Sequence, residues 1–176
     1  MNARHQVVSK ALDNRLNVWN VVAGTGSAGS TTVTLNNPRG VAVDKNLNLY
    51  VADCDNNRIQ KYPYRELNGT TIVGATVAGT ISLYCPSTII FDADEYLFIA
   101  DAWNHRIVGS SPNGFRCIAA CSGAGGASTA LSYAPGLSFD SYGNLYSADW
   151  GNNRIQKFLL LSNSCGKNQN FGQIIL

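Results

Sequence analysis

Short apolar runs alternate with turn residues along the chain, and none lengthens into a helical pattern. Gly40-Val41-Ala42-Val43-Asp44 and Leu49-Tyr50-Val51-Ala52 are rich in β-branched or aromatic residues and bounded by turn formers, as short strands are. Arg58-Ile59-Gln60-Lys61-Tyr62 alternates polar and apolar positions, the pattern of a half-buried strand, and Thr70-Thr71-Ile72-Val73 supplies a fourth. No stretch carries a persuasive 3.6-residue apolar period.

The four-strand pattern returns every 48 residues. Eight positions are identical in three copies: Leu35/Leu83/Leu131, Asp44/Asp92/Asp140, Leu49/Leu97/Leu145, Ala52/Ala100/Ala148, Asp53/Asp101/Asp149, Asn56/Asn104/Asn152, Arg58/Arg106/Arg154 and Ile59/Ile107/Ile155. Val41/Ile89/Leu137, Val43/Phe91/Phe139 and Tyr50/Phe98/Tyr146 keep the same register conservatively, while Pro135 falls one place later than Pro38 and Pro86 imply. An imperfect copy precedes these. Val7–Lys10 resembles Tyr50–Asp53 with Lys10 in place of the Asp, and Asp13–Leu16 resembles Asn56–Ile59. Four short strands per repeat of this length mark a β-propeller blade, as opposed to a two-helix solenoid unit. The expected division is a partial blade at 7–34, blades at 35–82 and 83–130, and a blade with C-terminal tail at 131–176. Val41, Val43, Val51 and Ile59 are expected to pack sheet on sheet.

Pro38-Arg-Gly-Val-Ala-Val-Asp44, Asn48-Leu-Tyr-Val-Ala-Asp53 and Asn56-Asn-Arg-Ile-Gln-Lys-Tyr62 together resemble an NHL repeat. Asn104-His-Arg-Ile107 and Asn152-Asn-Arg-Ile155 reproduce its most telling segment, and the resemblance spans about residues 7–162. The second copy departs from it at Thr88, where Gly is usual, and at Tyr96, where Asn is usual. The resemblance implies an all-β propeller of four-stranded antiparallel blades, typically six to a ring and often appended to other domains. One blade per 48 residues gives about 3.7 blades, whereas closed propellers have 4–8. The chain therefore reads as part of a ring: a fragment, a truncated product, or a piece completed by a second copy. Self-association is expected, with Val8, Leu16 and Val18 at one end and Leu145, Ile155 and Phe158 at the other as candidate exposed faces.

Composition narrows the alternatives. Of 176 residues, 45% are hydrophobic and 14% charged, with a net charge of +2; disorder needs the opposite balance. No apolar run reaches the ~18 residues of a membrane span, so membrane insertion is not expected. No signal-peptide core is visible near Met1, which leaves the compartment open. Five cysteines are an odd number. Cys117 and Cys121, if extended, lie ~13 Å apart, too far for a disulfide spacing of ~5.5 Å. The cysteines are read mainly as small hydrophobes. Neither Cys-x-x-Cys spacing nor histidines near the cysteines appear, so no metal and no cofactor is expected. Gly24-Thr-Gly26 and Gly123-Ala-Gly-Gly126 read as flexible connectors, and Asn68-Gly-Thr70 fits a glycosylation sequon, a pattern common by chance.

Among charged residues the Asp53/Arg58, Asp101/Arg106 and Asp149/Arg154 pairs stand out. A carboxylate in that turn can bond backbone N–H groups and the guanidinium together, and three copies pointing around a ring do not converge on one substrate, so the pairs are read as scaffold. His105 stands where its siblings have Asn57 and Asn153, which suggests a turn role. With Arg39, Trp103 and Trp150 it makes up the candidate partner-binding set on the turn-lined face. No Gly-x-Ser-x-Gly elbow, His-Glu-x-x-His or phosphate-cradling loop is present, and no catalytic residue is assigned. The resemblance implies a non-enzymatic module that binds a protein or peptide; ubiquitin ligation, known in multidomain relatives, would lie in another domain. RNA binding is the alternative, through Arg39, Lys45, Arg58 and Lys61, although Asp44, Asp53 and Asp55 lie among them. A further alternative is the remnant of an amidating-lyase-like or lactonase-like propeller.

Overall fold

The computed structural model of the chain describes residues 7–10 and 19–159. Every regular element among them is a strand or a one-turn 3-10 segment. Strands β3 (Pro38–Val43), β4 (Leu49–Asp53), β5 (Arg58–Tyr62) and β6 (Thr70–Gly74) form one antiparallel sheet in that order. Strands β7 (Pro86–Phe91), β8 (Leu97–Asp101), β9 (Arg106–Ser111) and β10 (Gly114–Ala119) repeat it. A third sheet holds β11 (Gly136–Phe139), β12 (Leu145–Asp149) and β13 (Arg154–Phe158). In the imperfect first copy, β1 (Val7–Lys10) pairs antiparallel with β2 (Trp19–Ala23); Asp13–Leu16 lies outside the described residues.

Registers repeat with the sequence. Asp53 faces Arg58, Asp101 faces Arg106, and Asp149 faces Arg154 at the same end of each second-to-third strand pair. The sheets stack so that successive residues of a middle strand serve two interfaces, because side chains alternate across the pleat. Tyr50, Ala52 and Ile59 meet Leu83, Ile89, Leu97, Ile99 and Val108 of the next sheet. Val51 and Tyr62, on the opposite face, pack with Ala23 and Leu35. The second sheet turns Phe98 and Ile107 toward Leu145 and Phe158 of the third and toward Leu131 in the connector before it. A strand buried on both faces needs an almost continuous apolar run, and β8 is buried along its whole length.

Val41 and Val43 do not join this packing as the sequence predicts; they are 50% and 56% exposed, whereas Val51 and Ile59 are fully buried. β3 is the first strand of its sheet and lies against β7 of the next. Gly40 sits so close to that neighbour that a Cβ there would fall 2.3 Å from the Ser87 carbonyl oxygen. Arg39, Val41 and Val43 consequently alternate onto the open side of the strand. Thr88, at the corresponding place in β7, donates its hydroxyl to the Pro135 carbonyl, and Ser87 does likewise at 3.0 Å. Of the candidate end faces, Leu145 and Phe158 are buried and Ile155 is 69% exposed; Leu16 and Val18 lie outside the described residues, and no side-chain description reaches Val8.

In the connectors Gly24, Gly26 and Gly123 take positive φ, and Gly29 and Gly125 donate to the carbonyls of Leu35 and Leu131. One further expectation fails. The four cysteines among the described residues are paired, and Cys165 lies outside them. Cys54 joins Cys85, and Cys117 joins Cys121. The extended-strand distance does not apply to the second pair, because the β9–β10 register breaks after Cys117 and Ala120 adopts φ 55, folding the chain back to a Cα separation of 5.8 Å.

Candidate functional site

Each middle strand ends in an aspartate with no solvent exposure. Asp53 Oδ1 accepts the Asn36 N–H at 2.7 Å, while Oδ2 accepts Asn56 Nδ2 at 2.8 Å and Arg58 Nε at 2.7 Å. Asp101 takes Tyr84, Asn104 and Arg106 in the same roles, and Asp149 takes Ser132, Asn152 and Arg154. The guanidinium then reaches the preceding connector. Arg58 donates to the carbonyls of Ser30, Thr31 and Thr34, Arg154 to those of Gly126, Ala127 and Ala130, and Arg106 to that of Ser82. Burial works against ionisation of Asp149, but the bonds from Asn152, Ser132 and Arg154 outweigh it and hold its carboxyl below the usual range. These residues clamp connector to sheet.

The other repeated aspartates shape the opposite hairpin ends. Burial opposes ionisation of Asp44 as well, and hydrogen bonds from Asn48, Tyr50 and Asn46 more than offset it, so its carboxyl is held low. In the second copy Tyr96 and Phe98 replace the Asn and Tyr donors; desolvation prevails at Asp92 and, with the charges of Asp94 and Glu95, raises it above the ordinary value despite bonds from the Tyr96 and Asp94 backbones.

The candidate partner-binding residues lie at the turn end of the sheets. His105 closes the Ala102–Asn104 turn at φ 55, as Asn57 and Asn153 close theirs. Its Nδ1 accepts the Tyr133 N–H at 2.8 Å, and Asn57 Oδ1 accepts the Cys85 N–H at the same distance. His105 thus does an asparagine's work between sheets.

Trp103 and Trp150 are 49% and 69% exposed. Two residues not singled out in the sequence join them. Tyr84 lies 5.5 Å from Trp103, Trp103 lies 6.2 Å from Tyr133, and Tyr133 lies 5.6 Å from Trp150, between ring centroids. The last two contacts are edge-on, so the four rings form a corrugated row across two sheets. Arg39 donates Nη1 to the Tyr133 hydroxyl. A cleft of about 270 Å³ opens beside the row, lined by Arg39, Cys54, Asp55, Tyr84, Cys85 and Trp103. Arg39, Trp103, His105 and Trp150 therefore meet through Tyr133, which sequence reasoning missed. Position 133 shares positive φ with Cys85 and Asn37 but not their identity, which hides it from a search for repeated letters.

Residues 35–62 match the family model of the NHL repeat. The chain carries an NHL repeat. Solved structures with the same arrangement include a candidate gluconolactonase, 13% identical over 92% of this chain and 54% of that one, with a TM-score of 0.65. An auxiliary nutrient-binding protein from Bacteroides thetaiotaomicron is 14% identical over 88% and 42% of the two chains, TM-score 0.62. A chain of a nidogen/laminin complex is 21% identical over 72% and 44%, TM-score 0.54. The NHL-repeat chain thus spans about half, or less, of the length of these structures. No curated protein matches it. At such identities the likeness shows the fold alone, and that fold is an all-β propeller type that serves binding proteins and enzymes alike.

Proposed function

We propose that this NHL-repeat chain is a non-enzymatic binding module whose turn face takes a protein or peptide. The row Tyr84–Trp103–Tyr133–Trp150, exposed except at the half-buried Tyr133, carries the reading. Large rings held in place by edge-on contacts lose little freedom on binding, and aromatic residues with arginine are the side chains most enriched at binding hot spots. Arg39, fixed by the Tyr133 hydroxyl, adds a charge that can meet a carboxylate or carbonyl at the end of the row. A propeller of this kind appears in a nidogen/laminin complex, which accords with a protein ligand. RNA binding is less well supported, since Arg58 is engaged by Asp53 and three carbonyls and Lys61 lies over the Tyr50 ring.

Selection of the full chain against a displayed peptide library tests the proposal. Peptides that bind should lose at least about tenfold in affinity when Trp103 and Trp150 are both changed to Ala, with melting unchanged. Equal binding by the variant, or binding only of single-stranded RNA with a steep salt slope, would refute it.

A further inference from the structure

We infer that Asn68 is an acceptor for N-linked glycosylation, added as the chain passes through an oxidising secretory compartment. The inference is independent of the proposed binding face.

The local sequence Asn68-Gly69-Thr70 is the single Asn-x-Ser/Thr in the chain, with no proline at its centre. Structure places Asn68 and Gly69 at the end of the loop between β5 and β6 and Thr70 at the first position of β6; Asn68 and Thr70 are exposed and Gly69 is buried. A Cβ at Gly69 would fall 2.8 Å from the Tyr62 ring, so the glycine lies flat on that ring while its two neighbours project outward. The loop is anchored without burying the acceptor: Gly69 N–H donates to the Thr32 carbonyl at 2.9 Å, and Thr32 Oγ1 donates to Asn68 Oδ1 at 2.6 Å. Such a site tolerates a bulky sugar once the chain has folded.

All four cysteines among the described residues are paired, and one bridge spans 31 residues to join two sheets. Disulfides of this structural kind persist in oxidising compartments, the setting in which surface sequons are glycosylated. The sequon loop follows the Tyr62 end of β5, whereas the aromatic row lies at the Arg58 end, so a glycan leaves the binding face open. Tyr64 and Leu67, both exposed apolar residues of the same loop, would be shielded by it.

In the transfer, Asn68 Nδ2 forms a C–N bond to the anomeric carbon of an oligosaccharide carried on a lipid pyrophosphate. The bond from that carbon to the pyrophosphate oxygen breaks, the lipid pyrophosphate departs, and the amide gives up one proton.

The test is to express the full chain behind a cleavable secretory leader in cultured eukaryotic cells and recover it from both cells and medium. The expected result is a mobility shift removed by a peptide N-glycanase, which leaves Asp at position 68 in the peptide map. Asn68→Gln and Thr70→Ala should each abolish the shift, and Thr70→Ser should retain it at least in part. Because the sugar is attached before folding is complete, chains retained in the cell are read in the same way. An unshifted chain in both fractions overturns the acceptor assignment. Free thiols at Cys54, Cys85, Cys117 and Cys121 in the secreted chain overturn the compartment argument on which it rests.

Discussion

Asp53, Asp101 and Asp149 each lie in the protein interior as one member of a four-group cradle: a backbone N–H, an asparagine amide and an arginine surround the carboxylate. Removing one partner from such a set costs more than the set contributes, because the remaining charge stays buried. The three arginines differ in side-chain exposure, at 9% for Arg58, 21% for Arg106 and 31% for Arg154. Arg58→Gln should therefore destabilise most, by about 3–5 kcal/mol, and Arg154→Gln least, by about 1–2 kcal/mol once solvent screening is allowed for. Urea melts should return the order Arg58, Arg106, Arg154; the reverse order would mean that desolvation is not what sets the cost. The identity of these residues was plain in the sequence, since they are the Asp, Asn and Arg positions among the eight identical in all three copies. Their main partners were not. Arginine here holds carbonyls 24 to 28 residues upstream, and a carbonyl leaves no mark in the letters.

Strands were readable at the element scale because short β-branched and aromatic runs end at turn residues, and the repeat fixed their order; the half-buried pattern expected of β5 does not hold, since Arg58 and Gln60 are buried with Ile59 and Tyr62. What escaped notice was the conformation of the joints. Positions 37/85/133, 47/95/143 and 57/105/153 all take positive φ, yet they hold Asn/Cys/Tyr, Leu/Glu/Gly and Asn/His/Asn. Gly143 alone satisfies its site without steric cost. Leu47, at φ 63 and 53% exposed, occupies the sibling position with a side chain that buries little. Leu47→Gly should stabilise the protein by up to about 1 kcal/mol, the left-handed penalty of a non-glycine residue less the added chain entropy. A rise in melting temperature, matched by a fall for Gly143→Leu, is the expected outcome; a fall for both would show that the Leu47 side chain packs more than its exposure implies. The Cys117–Cys121 bridge was hidden for a related reason, since one left-handed residue, Ala120, shortens a distance that strand geometry makes too long.

For the molecule as a whole, stability comes from joining sheets in sequence, and Cys54–Cys85 is the covalent form of that joint. In the chain-entropy account, closing a 31-residue span contributes about 3–4 kcal/mol, against about 2 kcal/mol for the four-residue span of Cys117–Cys121. Cys54→Ala with Cys85→Ala should lower the urea midpoint more than the corresponding change at 117 and 121. Equal losses would point to local geometry in place of chain entropy. The aromatic row was only half visible beforehand: its two tryptophans stand in turns, but Tyr133, which joins them, and Tyr84, which flanks Trp103, sit where connectors meet strands, and only the stacking of sheets brings the four together. The arginine clamps carry one more consequence. Each gathers its carbonyl partners from a short stretch behind it, Ser30 to Thr34 for Arg58 in the first copy. Duplicating or excising a whole 48-residue unit moves every such stretch intact, whereas one residue inserted between Thr34 and Arg58 puts a carbonyl beyond its guanidinium. The architecture counts residues, and lengthening or shortening by complete copies is the change it can absorb.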